Sequence, residues 1–289
     1  MFSFKIKSNQ PIAKVEGGIN NGKVLYIHQD SDRSLRRSDN PDYFFYCDLQ
    51  DGQFMYLPDQ RPNQTSRLIV ASNAGAGKSV NICKYIKEFH QVFPNSENTI
   101  LLTSHNSEDD EVDPFRSVRD LLDTIEFTED MIESPIELSD LYNHDEDTNR
   151  YLPQLVVFDD YEDLPNKLEK EIYRLRKAIC TKGRQFALHL VCINQTLSST
   201  RSDFRSFING TTGLVYFPAR EPINLKYLLK AHYDISNDLY IDLHRNTTSR
   251  WVLINKDDTP YILTETSAMI YDPVRESERL KELKKIGKL

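Results

Sequence analysis

Cysteine is sparse in this chain, and its spacing excludes two common kinds of site. Cys47, Cys83, Cys180 and Cys192 are far apart and form no C-x-x-C pair. Zinc sites of the common spacings and the disulfide frameworks of secreted domains both draw on closely grouped cysteines. The pattern therefore favours a reducing compartment and a fold that needs neither metal nor disulfide to hold it together.

Long apolar runs are also absent. No stretch approaches the roughly 18 apolar residues of a membrane-spanning helix, and the first ten residues, MFSFKIKSNQ, lack the apolar centre of a signal peptide. We therefore expect an intracellular protein with no membrane-spanning segment.

An excess of positive charge is missing as well. The formal net charge is −8, so any contact with DNA must be local, because Lys and Arg side chains supply most of the affinity for phosphates. Two basic clusters are candidates, although a solvated surface or a frayed tail explains each more simply. They are Arg33, Arg36 and Arg37, and Lys281, Lys284, Lys285 and Lys288.

The rest of the composition is that of an ordinary globular protein. The chain has 289 residues, 39% hydrophobic and 28% charged, which excludes disordered and collagen-like classes. At this length about 75% of the surface of the unfolded chain can be buried. We predict three segments: a small β extension over 1–64, an α/β core over 65–235, and a β pair with a basic helical tail over 236–289.

Apolar strands alternate with amphipathic helices from Arg67 onward, which predicts a mainly parallel sheet with helices on both faces. The predicted strands are RLIVAS, TILLTS, QLVVFDD, FALHLVCINQ and GLVYFP. Helices are predicted at SVNICKYIKEFHQVF, around FRSVRDLLDTI, over 164–180 and at NLKYLLKAHY. The chain then closes with two strands, RWVLINK and PYILTET, and the acidic segment 106–150 receives no functional assignment.

The stretch S-N-A-G-A-G-K-S, residues 72–79, follows a buried strand and opens a helix, as a phosphate-binding loop does. Gly75 and Gly77 permit backbone conformations that point successive N–H groups at one anion, and the helix adds its positive dipole end. The motif usually starts with glycine, and Ser72 stands there instead. The predicted nucleotide-binding residues are Ser72, Asn73, Ala74, Gly75, Ala76, Gly77, Lys78, Ser79 and Val80, with Lys78 reaching the phosphates and Ser79 a ligand of Mg²⁺.

A second acidic element ends the strand LVVFDD. An acid at the carboxyl end of a central parallel strand lies in the crevice where such sheets bind ligands. We predict that Asp159 holds Mg²⁺ and that Asp160 orients and deprotonates the attacking water. Asp160 is one methylene shorter than the usual glutamate, so Glu162 and Asp163 stay open as alternatives.

The strand FALHLVCINQT ends in a third polar element. Gln195 would place an amide near the terminal phosphate, where it could bond water or a phosphate oxygen, although a plain polar strand end is an equally simple interpretation. His189 lies inside the same apolar strand and is more simply a core histidine with a satisfied hydrogen bond.

Together these motifs, with the segments KGRQF and TRSDFRSFIN, resemble the FtsK–HerA division of P-loop ATPases over about residues 65–235. Within it, the chain is most similar to the virion DNA-packaging ATPases of poxviruses and other large DNA viruses. The resemblance implies a P-loop NTPase three-layer sandwich, hydrolysis of ATP with Mg²⁺, and a ring of identical subunits around double-stranded DNA. It also implies a place in the host cytoplasm or the virion, with capsid proteins as further partners.

In such rings each subunit lends an arginine to the nucleotide of its neighbour, which makes hydrolysis depend on assembly. Arg184, Arg201 and Arg205 are the candidates, and surface ion pairing explains each as simply. Two other functions stay open. One is a nucleotide-gated binding or scaffold protein with little turnover, which the shortened acid would suit. The other is a small-molecule kinase. It is disfavoured because such enzymes do not need the acid pair or the strand that ends in Gln.

Overall fold

The computed structural model describes residues 1–5, 10–28, 45–104, 113–162, 164–197, 202–245 and 247–272, with residues 278, 281 and 285. Arg33, Arg36, Arg37, Asp163 and Arg201 lie outside this part of the chain. Of the basic tail cluster, Lys281 and Lys285 are described, and both are exposed.

Sixteen strands occur within the described residues. They are β1 (Phe2–Ser3), β2 (Gln10–Glu16), β3 (Val24–Ile27), β4 (Tyr46–Asp48), β5 (Gln53–Tyr56), β6 (Arg67–Ala71), β7 (Thr99–Thr103), β8 (Leu122–Glu126), β9 (Asn143–Asp145), β10 (Arg150–Leu152), β11 (Gln154–Asp159), β12 (Leu188–Asn194), β13 (Gly213–Tyr216), β14 (Val252–Asn255), β15 (Tyr261–Thr264) and β16 (Ser267–Ile270). The α-helices in the same residues are α1 (Lys78–Val92), α2 (Asp130–Glu133), α3 (Asn166–Lys182), α4 (Ser202–Gly210), α5 (Leu225–His232) and α6 (Asn237–Arg245).

A ten-stranded sheet forms the centre, in the order β4-β16-β15-β14-β13-β6-β12-β11-β7-β8. The six strands from β13 to β8 pair in parallel. The other four continue the sheet antiparallel from β13. Strand β12 lies between β6 and β11, so the strand that leads into the glycine-rich loop and the strand that ends in the acids share one neighbour.

Hydrophobic side chains cover both faces of this sheet. One face packs against α3, α4, α5 and α6, with Phe158, Ile179 and Phe207 in its buried cluster. The other face packs against α1 and the N-terminal strands, with Ile86 and Phe89 in a second cluster. Strands β11 and β12 are buried along their whole length, as continuous apolar runs covered on both faces should be. The arrangement is the predicted three-layer α/β sandwich.

The N-terminal strands do not all stay in one small sheet. Strands β1, β3, β2 and β5 form a four-stranded antiparallel sheet whose core residues belong to the same cluster as those of α1. Strand β4 instead extends the central sheet, because Cys47 pairs with Ala268 of β16. The three-segment division stays a prediction, and β4 shows that the first segment contributes to the central sheet.

The helix predicted around FRSVRDLLDTI is wrong in its second half. A short 3-10 helix covers Arg116–Leu121, and Leu122–Glu126 is strand β8. The β-branched pair Thr124 and Ile125 suits a strand, and β7 offers unpaired backbone groups at that edge, with which β8 pairs in parallel. Such an edge is created by the rest of the sheet, so local periodicity did not reveal it. Helices α4 and α6 and strand β16 were not predicted.

Candidate functional site

The loop between β6 and α1 is attached to two neighbouring segments at its start. The amide of Ser72 donates to the carbonyl of Asn194 at 3.1 Å, and the amide of Asn73 donates to that of Arg220 at 3.0 Å. The side chain of Asn73 also donates to the carbonyl of Glu221 at 2.9 Å. The loop is therefore held between the end of β12 and the segment after β13.

Two glycines give this loop its shape. Gly75 and Gly77 have φ values of +76° and +90°, a left-handed conformation that residues with a Cβ rarely adopt. No atom lies within 4 Å of a Cβ added at either position, so the space around the loop is open. Glycine is needed at these two positions because of the backbone angle and not because of crowding. Ser72 is fully buried and has no positive φ, which is why a side chain is tolerated where the common motif has glycine.

The amides that follow form a concentrated donor surface. Among the described residues, no backbone or side-chain acceptor bonds the amides of residues 74–80. Helix α1 starts after Gly77 with no side-chain cap and no acid in its first turn. Unbonded amides at the positive end of a helix dipole form an anion site. Val80, on this turn, is 60% exposed, and Ala74 is also exposed, while Ala76 and Ser79 are partly buried.

Lys78 lies over the start of the loop. Its ammonium donates to the carbonyl of Ser72 at 2.6 Å. Burial lowers the pKa of Lys78, while the charges of Asp159, Glu162 and Asp160 act in the opposite direction. Lys78 and the acids at the end of β11 and just after it therefore share one electrostatic site, although they come from different segments.

Asp159 is buried at the carboxyl end of β11. Burial, and next the charge of Asp160, raises the pKa of Asp159 to about 7, and the ammonium of Lys78 opposes this rise. A buried carboxyl of this kind would be stabilised as the anion by a bound cation. The described residues contain no group of three or more His, Cys, Asp or Glu side chains placed to hold a metal. Magnesium bound with phosphate needs one or two carboxylates, so the oxygens of Asp159 and Ser79 fit that ion chemically.

The two candidate bases have different surroundings. Asp160 is exposed, with φ +48°, and its carboxylate makes no hydrogen bond to another described residue. Glu162 is engaged, because its carboxylate accepts hydrogen bonds from the amide of Gln195, from the amide of Thr196 at 3.1 Å and from the Thr196 hydroxyl at 2.8 Å. The Asn194 side chain adds a longer contact at 3.4 Å. Glu162 thus joins the segment after β11 to the end of β12.

The polar end of β12 is divided between a buried and an exposed amide. Asn194 is buried, and its side-chain oxygen accepts a hydrogen bond from the hydroxyl of Tyr161 at 2.6 Å. Gln195, the predicted residue, is exposed just beyond the strand. His189 is buried and accepts the amide of Ser66 at 3.1 Å, which confirms the interpretation as a core histidine.

The candidate arginines that the structure describes lie on different elements. Arg205 is exposed on α4, which follows the carboxyl end of β12. Arg184 is exposed in a 3-10 turn that precedes β12. The seven residues of β12 separate Arg184 from the loop edge by about 20 Å, so it cannot serve the site of its own subunit.

Sequence reasoning missed four residues that the structure brings to this edge. Tyr161 and Thr196 contact the network of Glu162 and Asn194, and Arg220 and Glu221 contact Asn73. A signal existed for each, because all four lie next to carboxyl ends of parallel strands, at the edge where ligands bind in such sheets.

In the part of the chain that the structure describes, no helix is long and apolar enough to span a membrane.

Comparison with known sequences gives one viral relative. No family model matches the chain. Uncharacterized protein V3 of Sputnik virophage is 23% identical over 276 residues, which cover 91% of this chain and 96% of that protein. The similarity therefore runs through nearly the whole of both chains.

Solved structures similar to this chain include secretion and packaging ATPases. The cytoplasmic domain of the type VII secretion ATPase EccC of Thermomonospora curvata has a TM-score of 0.49 and 12% identity over 77% of this chain. EssC of Geobacillus thermodenitrificans has a TM-score of 0.44 and 15% identity over 83% of it. This chain spans only 28% and 48% of the length of those two structures.

The DNA-packaging ATPase B204 of Sulfolobus turreted icosahedral virus has a TM-score of 0.42 and 11% identity, and covers 70% of this chain and 98% of its own. All three of these structures are of ATPases. The strand order of its own sheet, with the glycine-rich loop between β6 and α1, gives this chain the fold of a P-loop NTPase.

Proposed function

We propose that this protein is an ATPase that hydrolyses ATP to ADP and phosphate and uses the energy to move double-stranded DNA into a viral capsid. The observation that carries the ATPase is the meeting of Lys78, Asp159 and a run of unbonded amides at one edge of the sheet. The packaging role is supported by the sequence resemblance and by a viral relative of nearly the same length.

The nucleotide binds through the loop. The amides of residues 74–80 and the dipole of α1 receive the β-phosphate, and Lys78 leaves the Ser72 carbonyl to bond the β- and γ-phosphates. Asp159 and Ser79 are the residues that would hold Mg²⁺. When bound, that ion neutralises charge that develops on the phosphate oxygens.

Asp160 is the proposed base for the attacking water. It is exposed at the loop edge, whereas the carboxylate of Glu162 is occupied by the end of β12. The water oxygen bonds the γ-phosphorus as the bond to the bridging β–γ oxygen breaks, and the water proton passes to Asp160. Gln195 orients the water or a γ-phosphate oxygen.

A neighbouring subunit completes the site in this proposal. An arginine that reaches across the interface, from among Arg184, Arg201 and Arg205, stabilises charge on the transferring group. Hydrolysis then requires assembly, and a head-to-tail interface gives a ring when the rotation between subunits closes.

An ATPase titration with duplex DNA tests the proposal, with wild type, Lys78→Ala and Asp160→Asn each measured at several protein concentrations. We expect DNA-stimulated turnover that rises faster than linearly with wild-type concentration, is abolished in Lys78→Ala and is lowered by about 10²–10⁴ in Asp160→Asn. Turnover that is linear and indifferent to DNA would remove the motor. Nucleotide binding without turnover, with or without DNA, would instead establish a nucleotide-gated binding protein.

A further inference from the structure

Arg176 is a buried cation that the proposed chemistry does not use. It lies on α3 and is 8% exposed, and among the described residues no carboxylate forms an ion pair with it. We propose that Arg176 is a positioning residue that couples the acid segment 160–162 to helix α4. The inference concerns the mechanics of the proposed ATPase site, so its hydrolysis readout rests on that function.

The guanidinium contacts the acid segment. Its central carbon lies 4.1 Å from the centre of the Tyr161 ring. Tyr161 stands between the proposed base, Asp160, and the engaged Glu162, and its hydroxyl donates to Asn194 at 2.6 Å. Arg176 therefore packs on a ring whose far end is already bonded to the end of β12.

The guanidinium also contacts α4. Its central carbon lies 5.0 Å from the centre of the Phe207 ring, and Phe207 is 1% exposed. Arg205, one of the arginines proposed to reach a neighbouring subunit, stands two residues earlier on the same helix. Arg176 thus bridges the segment that carries the base and the helix that carries a candidate trans arginine.

A purely packing role does not call for a charge at this place. The Arg176 side chain interacts with the Cys192 thiol, a weak and neutral acceptor, and its Nε atom is buried with no hydrogen-bond partner among the described residues. An apolar side chain of similar size would fill the space without the cost of burying a cation. Two aromatic faces attract a desolvated guanidinium, so the charge makes the position of each ring depend on the other.

Hydrogen exchange of the α4 amides tests the coupling without nucleotide. Tyr161→Leu removes the ring, and we expect exchange in α4 to rise about fivefold in the wild-type background. In the Arg176→Met background, Tyr161→Leu should add no further rise. Tyr161→Phe keeps the ring and should leave α4 as in wild type. The amides of α5 serve as an internal control, because a global loss of stability would raise their exchange too.

Steady-state hydrolysis gives the second readout. Arg176→Met should lower kcat about tenfold and leave the Kd of ATP within about twofold, and Arg176→Lys should recover part of kcat. Arg174→Met is the matched control, since Arg174 lies on the same helix, is exposed, and pairs with Glu137 and Glu171. It should hydrolyse as wild type does.

The two readouts separate this inference from the proposed function. If wild type does not hydrolyse ATP, the proposed function fails, and the exchange experiment still decides the coupling. If Tyr161→Leu leaves α4 exchange unchanged, or raises it equally with and without Arg176, the coupling is overturned. Normal kcat in Arg176→Met, in a wild-type background that turns over, overturns it as well.

Discussion

The ammonium of Lys78 donates a hydrogen bond to the backbone carbonyl of Ser72, 2.6 Å away, at the start of the loop whose amides are unbonded. This contact keeps the only loop cation in the described residues 72–79 at the edge where Asp159, Glu162 and Asp160 influence its pKa. A phosphate that enters the loop would offer Lys78 a charged acceptor in place of a neutral one.

Lys78→Ala should therefore weaken nucleotide binding by about 1.5–3 kcal/mol, which is roughly a 10- to 150-fold rise in Kd. Titration with a fluorescent ATP analogue measures it. Lys84→Ala is the control, because Lys84 lies on the same helix but pairs with Glu16. Equal affinity in wild type and Lys78→Ala would show that this loop is not the nucleotide site.

Replacing Asp160 and Glu162 by their amides, one at a time, should separate a role in the chemical step from a role in positioning. Asp160→Asn should lower kcat by about 10²–10⁴ without a change in stability, because Asn adopts the left-handed conformation of residue 160 at least as well as Asp. Glu162→Gln should lower the unfolding free energy by about 1–3 kcal/mol, since its carboxylate accepts the Thr196 amide and hydroxyl.

Denaturant unfolding and ATPase assays on the same preparations measure both effects. The assignment of roles would be reversed if Glu162→Gln lost turnover with unchanged stability and Asp160→Asn stayed active.

Alanine at two glycine positions should have different effects, one mainly on nucleotide binding and the other on the stability of the fold. The Cβ added by Gly77→Ala meets no atom within 4 Å, so the substitution costs only the strain of a left-handed backbone, about 1–2 kcal/mol. That strain should change the shape of the loop and weaken nucleotide binding. Gly210→Ala would place its Cβ 2.9 Å from that of Cys180 and should destabilise the fold by about 1–3 kcal/mol. Melting curves with and without ATP distinguish them, and a Gly210→Ala protein as stable as wild type would contradict this packing.

His189 should make stability fall in acid. Burial, with a smaller contribution from Arg67, lowers its pKa to about 3, below the ordinary value of about 6.5. The unfolded chain therefore binds a proton that the folded chain refuses between these two values, so this contribution to stability is present above pH 6.5 and is lost as the pH falls toward 3. The slope is up to about 1.4 kcal/mol per pH unit.

His189→Asn keeps an acceptor for the Ser66 amide and should flatten the dependence of the unfolding free energy on pH between 6 and 4. His144→Asn, on the β9 strand, serves as the control. Parallel slopes in wild type and His189→Asn would show that His189 is protonated in the folded protein.

The sequence by itself was enough for the parts of this protein that local pattern controls. Apolar runs specified the buried strands β6, β7, β11, β12 and β13, because a strand that is covered on both faces must consist mainly of apolar residues. Glycines before Lys78 specified the loop, since only they relax the backbone there. The parallel alternation then predicted that Lys78 and Asp159 would meet at one edge.

The tertiary structure alone decided what depends on contacts between distant segments. The open edge of β7 turned a predicted helix into β8. The hydrogen bonds from Thr196 to Glu162 join residues 34 positions apart, and Arg176 contacts Tyr161 and Phe207, which are 15 and 31 positions away. Such pairings depend on how strands and helices pack. The periodicity of one segment does not show which residue of another element its side chains will contact.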